Sequence, residues 1–266
     1  GWEAYDEAKA AAYLDNAAHA EEVGYYYWLQ FVLDRQLQAV RSYAEERGVF
    51  LKGDLPIGVA PHSVDVWMAP HLFHTEQSAG APPDDFAADG QNWGFPTYNW
   101  EHMQEEGDFR WWRQRFERQA RYFHAFRIDH ILGFFRIWEV PRTQRSGLLG
   151  HFHPALPYSL EEWQEKLALP FPIELLTAPL VHEDELTARL GDSFDDLLDS
   201  GYLHSTALAG LYQLTYGEQA DYETEAAQRA LGADVAAVLA ELCTETALIA
   251  DPYKAGHYHP RIALER

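Results

Sequence analysis

Two stretches of this chain follow the same order, a helix leading at once into a short strand that ends on an aspartate. From Tyr25 to Arg47 apolar residues recur at helical spacing, with Trp28, Phe31, Val32, Leu37 and Val40 on or near one face, and Gly48 supplies the stop. Val49-Phe50-Leu51-Lys52-Gly53-Asp54 then reads as a strand, and Leu55-Pro56-Ile57-Gly58 turns the chain away. Further on, Phe109, Trp112, Phe116, Ala120 and Phe123 step by three and four along a helix, and Phe126-Arg127-Ile128-Asp129-His130 reads as a second strand. Helix-then-strand units with carboxylates at the strand ends are what consecutive units of a parallel barrel look like, since barrel enzymes gather reactive groups there.

The rest of the chain is patterned differently. Residues 60–100 are dense in Pro, Gly, Asp and Asn with aromatics between them, too long for a simple connection and of the kind that carries function. Beyond Pro141 the segments Leu160–Leu167, Glu183–Leu190, Phe194–Leu198 and Tyr222–Leu242 read as helical, with a strand expected only at Thr246–Ala250. The organisation expected is a barrel segment over 1–141 and an inserted, mostly helical subdomain over 142–266.

Composition narrows the partners. A formal net charge of −22 repels phosphate backbones and anionic headgroups, and no Lys/Arg cluster offsets it, so neither nucleic acid nor a membrane surface is expected. The one cysteine, Cys243, has no internal partner, and no apolar run is long enough to span a bilayer, which makes the cytoplasm the expected compartment. Aromatic residues make up 14% of the chain, and flat apolar faces beside acidic groups suit sugar rings, although they equally suit a core. The chain begins Gly1-Trp2 and ends Glu265-Arg266, and we read it as an excerpt of a longer protein.

Asp54 and Asp129 are the acidic groups of interest, because paired carboxylates break glycosidic bonds. Acidic residues also end strands simply as turn formers. Alternation along a strand places Arg127 beside Asp129, where its charge would keep the carboxylate ionised; an ordinary ion pair would look the same.

The strings KGDLPIGVAPHSVDVW (Lys52 to Trp67), GAPPDDFAADGQNWGFPTYNW (Gly80 to Trp100) and FRIDHILGFFRIWEVP (Phe126 to Pro141) resemble those of the amylomaltases, the 4-α-glucanotransferases of glycoside hydrolase family 77. The resemblance spans roughly the first 140 residues and is nearest to the cytosolic plant-type enzyme and its bacterial relatives. It implies an α/β fold, part of a (β/α)8 TIM barrel with a mainly helical insertion in the C-terminal half. It also implies a retaining transglycosylase acting on maltose, maltodextrins and larger α-glucans, with no cofactor and no metal. Asp129 corresponds to the nucleophile, Arg127 holds it ionised, and Asp54 and His130 contact the bound glucose. The family's mobile acceptor-side loop corresponds to Gly80–Trp93, with Pro83, Phe86, Gln91 and Trp93 at matching positions and Trp93 as the stacking platform. The other reading of these loop residues is structural, with Trp93 and Trp100 in the core and Asp84 and Asp85 as turn formers after Pro-Pro.

The chain also departs from the family. The Glu-Asp-Leu-Gly strand end that supplies the acid/base is missing, as is the later His-Asp pair. His182-Glu183-Asp184-Glu185-Leu186 falls on a helix with no strand expected before it, so it reads as a solvated face. Asp251 follows a strand candidate but fits the inserted segment, and Glu245 is the other acid nearby. The isolated chain is therefore expected to be inactive, lacking a proton donor and the remainder of its own barrel. His62, His71 and His74 read as solvated surface histidines rather than zinc ligands. An α-glucan hydrolase and a non-catalytic glucan-binding module are the competing functions.

Overall fold

A computed structural model describes residues 4–262. They divide into two compact units, one made of the chain up to Thr75 with Phe95–Phe135, the other of Glu76–Gly94 with the chain from Arg136 onward.

In the first unit the two expected strands form and pair. Lys52–Leu55 lies parallel to Ala125–Ile128, with Asp54 opposite Arg127. Parallel neighbours need a long crossover, and here the connection carries helices Trp100–Glu105 and Arg110–Ala120. Leu55, on the inward face, is fully buried among Val66, Leu72, Phe73, Tyr98, Met103 and Trp112, with Trp100, Trp111, Phe116 and Phe134 packed around them. Tyr98, Trp100 and Trp112 meet with centroids 5.0–5.9 Å apart, the offset and edge geometries that aromatic quadrupoles favour. Most of the Trp and Phe that follow Pro96 are thus core residues, Trp100 among them.

The first long helix, Ala20–Glu45, extends beyond its expected start, and only Ala44 on it is buried. The aromatic face anticipated from Trp28, Phe31, Leu37 and Val40 lies open, joined by Tyr25, Tyr26, Tyr27 and Tyr43. The helix is held instead by polar ties. Asp34 accepts from Tyr122 Oη at 2.8 Å and pairs with Arg121 at 2.9 Å, while Arg41 donates to the Ala120 carbonyl.

The second unit holds pairings that local pattern does not show. Gln77–Ala81 pairs antiparallel with Ile137–Pro141 over four residues. That pairing draws the loop after Glu76 into a four-stranded sheet ordered Gln91–Asn92, Gln77–Ala81, Ile137–Pro141, His151–His153. The region after 142 departs from the expectation of helices with one strand. Leu180–His182, Leu211–Leu214 and Leu203–Ser205 form one antiparallel sheet, and Leu248–Ala250, His257–Pro260 and Tyr158–Ser159 another. Strands of two to four residues are too short for alternation to announce them. The helices Leu160–Leu167 and Glu183–Leu190 match their expected bounds. The stretch 222–242 is broken instead into Gln219–Glu223, Glu225–Leu231 and Ala233–Leu242; Thr224 caps the second piece, and Gly232 at φ +81° separates it from the third.

These helices close over a core of Val181, Leu186, Leu190, Leu197, Leu203, Leu214, Tyr222, Leu239 and Leu242. Cys243 lies in the same core, where burial pushes its thiol up to about 12 and leaves it inert. Leu186 has no exposed surface, so Leu186→Ala is expected to destabilise the protein by about 3 kcal/mol in chemical denaturation. A loss under 1 kcal/mol would mean that this core repacks.

Candidate active site

Parallel pairing brings Asp54 and Arg127 together from positions far apart in the chain. The guanidinium grips Asp54 with a fork, Nε to Oδ1 at 2.8 Å and Nη2 to Oδ2 at 2.6 Å. Asp129 stands at the edge of the same group, its Oδ1 3.6 Å from Nη2. The sequence pairs Arg127 with Asp129, two residues along the same strand; in the structure its principal partner is Asp54 on the neighbouring strand. Geometry explains the preference, since a fork satisfies both carboxylate oxygens where a planar guanidinium faces them squarely. The hydrogen bonds from Arg127 hold the Asp54 carboxyl below the usual carboxylate range, and the same bonds push Arg127 upward. All three side chains are more than half exposed, so the cluster organises charge rather than stabilising the fold.

The scaffold beneath this cluster is closely packed and hydrogen-bonded. Gly53 lies where a Cβ would come within 2.6 Å of the Phe123 ring, so the strand can approach the following unit only without a side chain there. After Leu55 the chain is clamped: Tyr98 Oη donates to the Ile57 carbonyl at 2.6 Å, and Arg115 donates to Tyr98 Oη at 3.2 Å and to the Pro56 carbonyl at 3.1 Å. Burial pushes Tyr98 up to about 12, so it stays a donor. Beyond Ile128 the Asp129 N–H donates to the Leu55 carbonyl at 3.0 Å, extending the ladder by one residue. His130 then takes a left-handed conformation, φ +47°, that begins the 3-10 turn Ile131–Phe134 and swings the chain away from the carboxylates.

Asp54, Arg127, Asp129 and His130 belong to the first unit; Pro83, Phe86, Gln91 and Trp93 belong to the second. Within the loop Trp93 Nε1 donates to Gln91 Oε1 at 2.9 Å, which joins two of the four residues singled out there. Trp93 is half-buried and Phe86 is 98% exposed. Asp84 acts as a turn former, Oδ1 accepting from the N–H groups of Phe86 and Ala87 at 2.9 and 2.7 Å.

The acids weighed as proton donors are engaged elsewhere. Glu245 accepts a fork from Arg261 at 2.8 and 3.3 Å. Burial would raise the Asp251 carboxyl, but His259 and the N–H groups of Tyr253 and Lys254 outweigh it and hold the group below its ordinary value. A carboxyl held ionised is a poor proton donor at neutral pH. Glu183, Asp184 and Glu185 sit exposed on their helix as expected, although the strand Leu180–His182 does precede them.

Of the histidines read as solvated, His62 is exposed. His71 bonds Glu106 Oε2 at 3.0 Å, with His102 3.7 Å from the other carboxylate oxygen, and His74 is half-buried in the strand Phe73–His74. His71, His102 and Glu106 together offer metal-ligating atoms at the surface. Sequence spacing missed this group because His71 lies in a 3-10 turn well before the helix of His102.

Comparison with known proteins shows the family. The family model described as 4-alpha-glucanotransferase, glycoside hydrolase family 77, matches residues 1–250. A 4-alpha-glucanotransferase DPE2 from Oryza sativa subsp. japonica is 43% identical over 190 residues, 71% of this chain and 20% of that protein. A 4-alpha-glucanotransferase from Synechocystis sp. is 43% identical over 141 residues, 50% of this chain and 28% of that one. The amylomaltase from Streptococcus agalactiae, solved in complex with acarbose, shares 33% identity over 63% of this chain and 34% of that chain, with a TM-score of 0.51. The chain spans less than a third of the length of either curated relative. Its fold is α/β, and it belongs to the 4-alpha-glucanotransferase family, glycoside hydrolase family 77.

Proposed function

We propose that this chain is part of a 4-α-glucanotransferase that moves α-1,4-glucan segments from maltose and maltodextrins to acceptor glucans by a retaining double displacement. The observation that carries this reading is the Asp54–Arg127–Asp129 cluster at two adjacent parallel strand ends, in a chain that belongs to the 4-alpha-glucanotransferase family. Asp129 is the nucleophile. Its carboxylate bonds to the anomeric carbon as the glycosidic oxygen leaves with a proton, and a sugar hydroxyl later displaces Asp129 from the opposite face. Asp54, its oxygens fixed by the fork, accepts hydrogen bonds from glucose hydroxyls, and His130 donates one.

The Gly80–Trp93 loop is the acceptor-side lid, with Trp93 as its stacking face and Pro83, Phe86 and Gln91 lining it. Excluding water is what lets a sugar hydroxyl capture the intermediate. Residues 1–141 carry the barrel segment and 142–266 the insertion; the proton donor and the remaining barrel strands lie in parts of the protein outside this chain. That remainder covers the aromatic face of helix Ala20–Glu45, which is too large to leave in water. Among the described residues no helix is long and apolar enough to cross a membrane.

Incubation with maltotriose, followed by separation of products by chain length, tests the reading. The protein extended at both ends should yield glucose and longer oligosaccharides, and the 266-residue chain alone should yield neither. Turnover by the isolated chain would place an acid/base within it and make Asp251 and Glu245 the residues to replace. In the extended protein Asp129→Asn should lower turnover by about 10⁴-fold or more while leaving glucan affinity near its starting value. Retained turnover would remove Asp129 from the chemistry.

The fork makes a pH prediction. The folded-state value of Asp54 is depressed, so its charge and the fork it anchors persist above the ordinary carboxylate value of about 3.9 and are lost only as pH falls through the lower, folded one. Arg127→Lys, which cannot fork, should move the Asp54 titration upward in a carboxyl carbon NMR experiment. An unmoved titration would show that Arg127 does not set the charge state of Asp54.

A further inference from the structure

Away from the carboxylate cluster, the second unit gathers His151, Asp251 and His259 in its interior. His151 opens the last strand of the four-stranded sheet, Asp251 follows the strand Leu248–Ala250, and His259 lies in His257–Pro260. The histidines are 4% exposed and the Asp251 side chain 6%. The two imidazoles stack with centroids 4.2 Å apart and planes 14° from parallel. His259 Nε2 meets Asp251 Oδ2 at 2.6 Å, whereas both ring nitrogens of His151 are buried with no hydrogen-bond partner.

An imidazole sealed from water with neither nitrogen satisfied is costly, and such a group needs a reason. The ring points into a cluster that holds a second imidazole and a carboxylate, and one potential donor atom from each residue lies within 4.8 Å of the other two. We propose that His151, Asp251 and His259 form a binding site for a divalent transition metal, with zinc the preferred ion.

Two nitrogen donors and one oxygen donor suit zinc and its first-row neighbours, while magnesium and calcium favour oxygen alone. Tetrahedral zinc with bonds near 2.1 Å needs donor atoms about 3.4 Å apart, so the His259–Asp251 pair must open by less than about 1 Å and the His151 nitrogen approach by at most about 1.5 Å, within reach of small rotations of the rings. On binding, His259 takes the tautomer protonated at Nδ1, which frees the Nε2 lone pair for the ion, and the Asp251 Oδ2 that faced it turns to the same ion. Asp251 Oδ1 meanwhile stays fixed by the N–H groups of Tyr253 and Lys254, an outer shell that orients the carboxylate. With water as its fourth ligand, the ion then ties the four-stranded sheet to the small sheet of Leu248–Ala250 and His257–Pro260, and its role is structural. The sequence hid this site because its ligands lie on two strands and just after a third, and His151-Phe152-His153 and His257-Tyr258-His259 each contribute only one of them.

Zinc titration of the protein against a competing chromophoric chelator, repeated with cobalt(II) for its visible spectrum, tests the site. The His71→Gln variant serves throughout as background, removing the surface group of His71, His102 and Glu106. One zinc per chain should bind, cobalt should give tetrahedral bands, and zinc should raise the thermal midpoint. His151→Gln should weaken binding by about 100-fold and abolish that rise, and Asp251→Asn should act in the same direction. No uptake in the His71→Gln background, or unchanged affinity after His151→Gln, overturns the assignment. Should both ligand variants fail to fold, anomalous diffraction at the zinc edge decides without them: a peak between His151 and His259 sustains the site and a peak elsewhere removes it.

Discussion

The candidate site rests on the parallel pairing of Lys52–Leu55 with Ala125–Ile128. Register decides everything at such a pair, because a shift of one residue would turn Asp54 to the face that Leu55 now fills. With Leu55 sealed among aromatic rings and Gly53 pressed toward Phe123, that slip is closed off from both sides. The burial of apolar residues on one face thus fixes the charges on the other. Arg127 opposes Asp54 because Leu55 has nowhere else to go.

The loop after Leu55 shows the same division of labour. Pro56 and Ile57 would leave backbone carbonyls to find partners, and they are met by Arg115 and Tyr98, which come from the crossover and already belong to the aromatic core. The carboxylates are therefore held through the backbone and not through their own packing, which leaves them open to a ligand. In the second unit the same logic runs through sheet pairing: the Gln77–Ala81 and Ile137–Pro141 ladder anchors one end of the loop while Asp84 and its turn shape the tip.

Much of this was legible in the sequence. Helices with sustained period, such as Leu160–Leu167 and Glu183–Leu190, declare themselves because each carries its own cap and stop. The GDL and RIDH strands were readable because each follows a helix and ends on a charge. What local pattern does not contain is who sits beside whom. The partnership of Arg127 with Asp54, of Gln77–Ala81 with Ile137–Pro141, and of His151 with His259 are all matters of long-range register. The short strands after 142 escaped notice because two to four residues cannot show a period, and Gly232 breaks an alanine-rich stretch whose composition alone reads as unbroken helix.

One guanidinium serves two carboxylates in the Asp54–Arg127–Asp129 cluster, which leaves the trio with one negative charge in excess. A neutral sugar entering the site does nothing to restore the balance. A ring that acquires positive character at its anomeric carbon does, and so would a basic nitrogen held in the same place. On the proposed reading, the excess of one acid favours a cation of sugar shape over the sugar itself, arising from the stoichiometry of charge before any contact with hydroxyl groups is counted.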